Sequence, residues 1–135
     1  MSQPNLDQLI RQLENYLECW KQFNHYLNLA RTKKFTEEDE NQFLELKSLL
    51  TQELELILAA IESGTPNKDD IHSVVSSAPS IRFLSELSEA SLRNLENQWH
   101  RIFISWQSIL GQLKVRKRQG ASRFSLSRWF GQETG

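Results

Sequence analysis

A seven-residue hydrophobic repeat constrains this chain more than any other feature. Over Leu92, Leu95, Trp99, Ile102, Trp106, Ile109 and Leu113, apolar side chains fall at alternating steps of three and four. That spacing gathers them into one stripe on an α-helix, whereas a strand would scatter them over both faces. Two of the seam residues are tryptophans. The seam stops at Leu113, and a basic run follows at Lys114, Arg116, Lys117 and Arg118.

The same period governs the first thirty residues. Leu6, Leu13, Trp20 and Leu27 recur every seventh position, and Leu9, Tyr16, Phe23 and Ala30 interleave with them. Ile10 and Leu17 widen the stripe beyond a two-stranded seam, so this helix must touch at least two neighbours and belongs in a bundle. The spacing predicts a start near Pro4, with Asp7 favourable in the first turn, and an end around Arg31 to Lys34.

A second helix is expected after Thr36, a good N-cap, with Glu37, Glu38, Asp39 and Glu40 filling its first turn. Its apolar face runs Phe43, Leu46, Leu50, Leu54, Ile57 and Ile61, with Leu44, Leu49, Leu56 and Leu58 beside it. Gly64 is placed to be the C′ residue. Thr65-Pro66 then restarts a short helix with Ile71, Val74, Val75 and Ala78 on one face, closed by Pro79. Ser80 caps the next segment, which either runs directly into the Leu92–Leu113 helix or breaks near Ser88, a second cap residue. Gln119 to Ser122 reads as a linker, and in the tail after it Leu126, Trp129 and Phe130 are spaced for a single amphipathic turn.

The expected fold is all-α: an elongated antiparallel bundle of three long helices plus one short accessory helix. The expected division is a helical bundle over residues 1–118 and a basic-aromatic tail over 119–135. A chain of 135 residues suits one such domain. With 3 prolines and 5 glycines it is too poor in turn formers for an all-β or disordered chain. Cys19 is the single cysteine, so no internal disulfide forms, which fits a reducing compartment. The opening MSQPNLDQ has no basic n-region or apolar h-region, and the most apolar stretch, Ile57 to Ile61, is far shorter than the ~20 residues a membrane span needs. A cytoplasmic protein is expected.

The formal net charge of −1 conceals an asymmetry. Residues 1–113 carry 10 Lys and Arg against 16 Asp and Glu; residues 114–135 carry 6 against Glu133 alone. The body is therefore −6 and the end +5.

Catalytic and metal-binding chemistry needs converging polar groups, and the sequence offers few. Glu96 and His100 share a helical face at a chelating spacing, but no Glu-x-x-His and no second pair completes a site of the di-iron bundle kind. They read as an intrahelical pair. Cys19, within an amphipathic helix, reads as a small hydrophobe and not a nucleophile. Glu37 to Glu40 is explained as a helix start. Asn67, Asp69 and Asp70 lack the glycine and distal glutamate of a calcium loop. There is no phosphate loop, G-x-S-x-G or H-E-x-x-H. No enzyme, cofactor or metal is expected.

Trp20, Trp99 and Trp106 fall in core registers. Trp129 and Phe130 do not, and exposed adjacent aromatics call for a surface to dock on, whether their own bundle or a partner. Together with the basic run they give one candidate contact: Lys114, Arg116, Lys117, Arg118, Arg123, Phe124, Leu126, Arg128, Trp129 and Phe130. Cations at a helix C-terminus are also expected for the helix's own sake, though this run exceeds that need. Lys114 to Arg118 also has the look of a nuclear-localisation or heparin-binding patch. The acidic body disfavours nucleic acid. An anionic membrane surface suits Lys, Arg, Trp and Phe better, and a homo-oligomer stays open. In size and helical outline the chain resembles the small export chaperones of flagellar and type III secretion systems, a resemblance without a diagnostic motif. It implies a protein partner and no catalysis. The reading is thus a non-enzymatic interaction module, an adaptor, assembly subunit or chaperone-like bundle. The alternative is a peripheral membrane binder using the same tail.

Overall fold

The computed structural model describes residues 5–61 and 66–130, with side chains for 6–61 and 66–120. The described residues form five α-helices and no strand: α1 Asn5–Thr32, α2 Glu37–Ile61, α3 Lys68–Ser76, α4 Ile81–Ser85 and α5 Glu89–Phe130. The three long helices, of 28, 25 and 42 residues, measure about 42, 37 and 63 Å at 1.5 Å per residue. Two short helices, α3 and α4, stand where the sequence reading expected one.

Each boundary has a local cause. Around the start of α2, the Asp39 amide donates to Thr36 Oγ1 at 3.1 Å and the Thr36 amide donates to Asp39 Oδ2 at 2.8 Å. This reciprocal capping satisfies two amides that the helix itself cannot. At the end of α1, the Lys33 amide donates to the Ala30 carbonyl and the Lys34 amide to the Leu29 carbonyl. Lys33 sits at φ 59°, the left-handed position usually given to glycine at this termination. The α3 cap is Asn67, whose Oδ1 accepts from the Asp69 amide at 2.7 Å, and not Thr65. An asparagine two residues nearer the first apolar contact displaces the Thr-Pro start. Thr65, Pro4 and Gly64, all given roles from sequence, lie outside the described residues. Ser80 caps α4 through the Phe83 amide at 3.0 Å, and Ser88 caps α5 through the Ser91 amide at 3.1 Å. The chain therefore does break after Ser85.

The first helix is the hub, packing against α2, α4 and α5, while α3 packs on α5. The wide stripe foreseen for it is real: Ile10, Leu13, Tyr16, Leu17, Trp20, Phe23, Leu27 and Ala30 are all buried. Tyr16 lies against α2 and α5 together. Its hydroxyl donates to the Leu50 carbonyl at 2.6 Å, and its ring meets Trp106 edge-on at 5.3 Å. Further along, Trp99 Nε1 donates to the Trp20 carbonyl at 2.8 Å. Burial pushes the Tyr16 phenol well above its ordinary range.

Cross-helix partners give the directions. Tyr16 meets Leu50 and Tyr26 meets Gln42, so α1 and α2 run oppositely. Arg31 pairs with Glu89 and Glu96, while Asp7 pairs with Lys117, so α1 and α5 run oppositely too. Then α2 and α5 are parallel, and the segment holding α3 and α4 is the return crossover between them. Glu40 fastens that crossover: its carboxylate accepts from the Ile81 amide at 2.8 Å and the Arg82 amide at 2.9 Å. A carboxylate at a helix N-terminus meets both unsatisfied amides and favourable dipole charge.

Candidate interaction surface on the last helix

The basic run does not end a helix. Instead α5 continues through Gln119, Gly120, Ala121 and Ser122 to Phe130, so the expected linker is helical. One glycine inside a helix costs only about 1 kcal/mol, and the flanking Lys, Arg, Gln and Ala are good helix formers. Lys114 to Arg118 therefore stand three turns or more before the helix end, where the macrodipole has no hold on them. Their charge needs another reason.

Half of it is found within the chain. Lys114 Nζ lies 3.1 Å from Glu14 Oε2 and Lys117 Nζ lies 2.6 Å from Asp7 Oδ1. Glu14 and Asp7 are one heptad apart on α1, so the pairs pin the α1–α5 register at its open end. The Lys117 ammonium holds the Asp7 carboxyl below its ordinary value. Such exposed pairs add little stability; they specify alignment. Arg116 and Arg118 make no ion pair among the described residues and are exposed. Thus four expected contact residues separate into two that face α1 and two that face solvent.

The remaining candidates, Arg123, Phe124, Leu126, Arg128, Trp129 and Phe130, lie on the last turns of α5, and their side chains are outside those described. Leu113 is the last buried residue of the seam. The 17 residues from Lys114 to Phe130 would carry the helix about 25 Å further.

A feature that the sequence reading missed lies on the reverse of α5. Ile104 and Val115 are 49% and 41% exposed. Each comes two residues after a buried seam residue, Ile102 and Leu113, and two residues turn a helix by about 200°. They therefore lie opposite the core, with Ser108, Gly111 and Arg118 on the same side. The signal was present as an aliphatic residue at a non-seam position, eleven residues apart in both steps Ile104, Val115 and Leu126. On α2, Leu44, Leu49 and Leu56 were expected beside the apolar face, but they are 50%, 46% and 58% exposed. There α2 packs on α1 along one side only, too narrow a contact to cover a stripe that wide.

Other chemistry is sparse. Glu96, paired from sequence with His100, instead takes Arg31 Nη2 at 3.1 Å. No group of three His, Cys, Asp or Glu side chains converges for a metal among the described residues. Cys19 is half-buried, and burial together with Glu53 and Glu18 pushes its thiol up, which suppresses the nucleophilic thiolate. A groove of about 470 Å³ between α3 and α5 is lined by Asn67, Asp70, Arg101 and Ser105 among others. Trp20 Nε1, Asn24 Oδ1 and Trp106 Nε1 are buried without a hydrogen-bond partner among the described residues. No described helix is long and apolar enough to cross a membrane. Comparison of the chain with protein-family models, with characterised proteins and with solved structures finds no match.

Proposed function

We propose that this protein is a non-enzymatic interaction module, an elongated helical bundle with α1 running opposite to α2 and α5, that works by binding another protein through the distal part of α5. The observation carrying the reading is that α5 continues as one helix for 17 residues beyond Leu113, its last buried seam residue. Over the first seven of those residues, Lys114 to Gly120, every position is exposed, and a helical stretch without tertiary packing gains little on its own. Its exposed Arg116 and Arg118, and the aromatics further along the sequence, are residue types that serve at protein contacts. The first helices act as the mount, holding α5 at fixed register through Trp99, Tyr16 and the Glu14 and Asp7 pairs. Adaptor, assembly-subunit and chaperone-like roles all fit this description.

The test is a pull-down from native lysate with full-length protein and with a version lacking residues 119–135. A stoichiometric partner retained only by the full-length chain supports the reading. Retention of the same partner by both versions moves the contact onto the bundle and refutes the role given to the tail. The second reading, a membrane-surface contact by the same segment, draws support from the density of cations there, each worth about 1 kcal/mol near anionic lipid. It requires that vesicles rich in anionic lipid bind the full chain and not the shortened one.

A further inference from the structure

We propose that the partner is a second copy of this chain, with the back face of α5 of one copy seated on the outer face of α2 of the other. This rests on the reading of α5 as the working element, and it names what that element takes.

Geometry excludes the chain's own core as the cover. Ile104 and Val115 share a helix with the seam they oppose. A helix whose front is fixed to α1 by Trp99, Trp106 and Leu113 cannot turn its back onto the same core. Among the described residues nothing covers this face, which leaves it open to a second molecule.

Charge says what kind. Between Glu96 and Glu133 the sequence holds no acid, yet it holds Arg101, Lys114, Arg116, Lys117, Arg118, Arg123 and Arg128. Arg101, at the edge between the back face and the α3 groove, precedes Ile104 by three residues, and Arg118 follows Val115 by three. Both arginines are exposed and make no ion pair among the described residues. The matching surface is therefore a helix with exposed aliphatic side chains set among carboxylates.

That surface exists on α2. Its 25 residues carry Glu37, Glu38, Asp39, Glu40, Glu45, Glu53 and Glu55 against Lys47 alone. Leu49 and Leu56 are one heptad apart and exposed. Glu45 lies four residues before Leu49 and Glu38 one heptad before Glu45, on the same side of the helix, and both are exposed. Neither makes an ion pair among the described residues. In one chain α2 and α5 flank α1 and run parallel, so the two faces are not set against each other. Between copies they complement each other in charge and in apolar content, as specific interfaces do.

Sedimentation velocity on the purified full-length chain tests this at about 5–200 μM. The expected result is concentration-dependent association that weakens about tenfold between 0.05 and 0.5 M NaCl. The double variant R101E/R118E and the double variant E38K/E45K should each stay monomeric over that range, with helical circular dichroism unchanged. Mixed at equal concentration, the two should associate again, because every α2–α5 contact then joins opposite charges. A wild-type chain monomeric throughout overturns the proposal. So does association that survives either reversal, or a mixture that stays monomeric. Sedimentation of purified protein is independent of the lysate experiment. A monomer that still retains a lysate partner through residues 119–135 would refute self-association and leave the interaction module standing.

Discussion

Replacing each of two buried tryptophans by phenylalanine should give opposite orders of cost from those that burial suggests. Trp106 is fully buried and Trp99 is 8% exposed, so burial alone makes Trp106→Phe the worse change. The hydrogen bonds reverse this. Trp99 Nε1 donates to the Trp20 carbonyl at 2.8 Å, whereas Trp106 Nε1 is buried with no partner among the described residues. Both changes remove roughly 40 Å³ of side chain, worth about 1 kcal/mol if the space stays open. Trp99→Phe adds the loss of one hydrogen bond, about 1 kcal/mol, for a total near 2 kcal/mol. Trp106→Phe instead removes an unsatisfied donor whose desolvation costs about 1–3 kcal/mol, so after the volume loss it should fall between neutral and about 2 kcal/mol stabilising. Urea denaturation at 25 °C, followed by circular dichroism with m held equal, measures both. If Trp106→Phe costs as much as Trp99→Phe, the hydrogen-bond reasoning is wrong and volume alone governs these sites.

Two further outcomes follow from buried or bridging polar groups. The Tyr16 phenol is raised by burial from its ordinary value of 10.0. Its neutral form is favoured by the folded state, so that contribution is complete below pH 10 and is lost as pH rises above it. Tyr16→Phe should cost about 1 kcal/mol at pH 7 for the Leu50 hydrogen bond and should flatten the fall in stability above pH 10, seen in urea midpoints across pH 8–11. An unchanged alkaline slope would assign it to other groups. Glu40→Ala removes the acceptor for the Ile81 and Arg82 amides and should cost about 2–3 kcal/mol, with Glu40→Gln near half that; a Glu40→Gln variant as stable as the unaltered chain would show that the carboxylate's charge is immaterial there.

The period of the hydrophobic residues determined most of the helices. Seven-residue spacing from Leu6 to Ala30 and from Leu92 to Leu113 is a local property, and the side chains it selects are found buried except Leu6 and Leu9, which are half-buried near the start of α1. Caps are equally local: Thr36, Ser80 and Ser88 act as their chemistry says, because a hydroxyl reaches an amide three residues on without help from the rest of the fold. At α3 the cap is Asn67 where Thr65 was expected; its side chain reaches the Asp69 amide two residues on, an equally local contact. The end of α5 was misread for a different reason. Gly120 beside serine and glutamine resembles a linker, but a helix already nucleated over thirty residues passes one glycine at small cost.

What only the tertiary structure decided concerns pairs of distant residues. Nothing near Lys114 or Lys117 announces that Glu14 and Asp7 will neutralise them, or that Arg116 and Arg118, on neighbouring positions, will not be. Glu40 looks like one of four acids starting α2, yet it caps a helix forty residues away. The leucines on α2 carry the same hydrophobicity whether covered or not, and their exposure depends on how many neighbours that helix receives. Hydrophobic period is written in consecutive residues; coverage depends on where the other helices lie, and that is set only when the chain has packed.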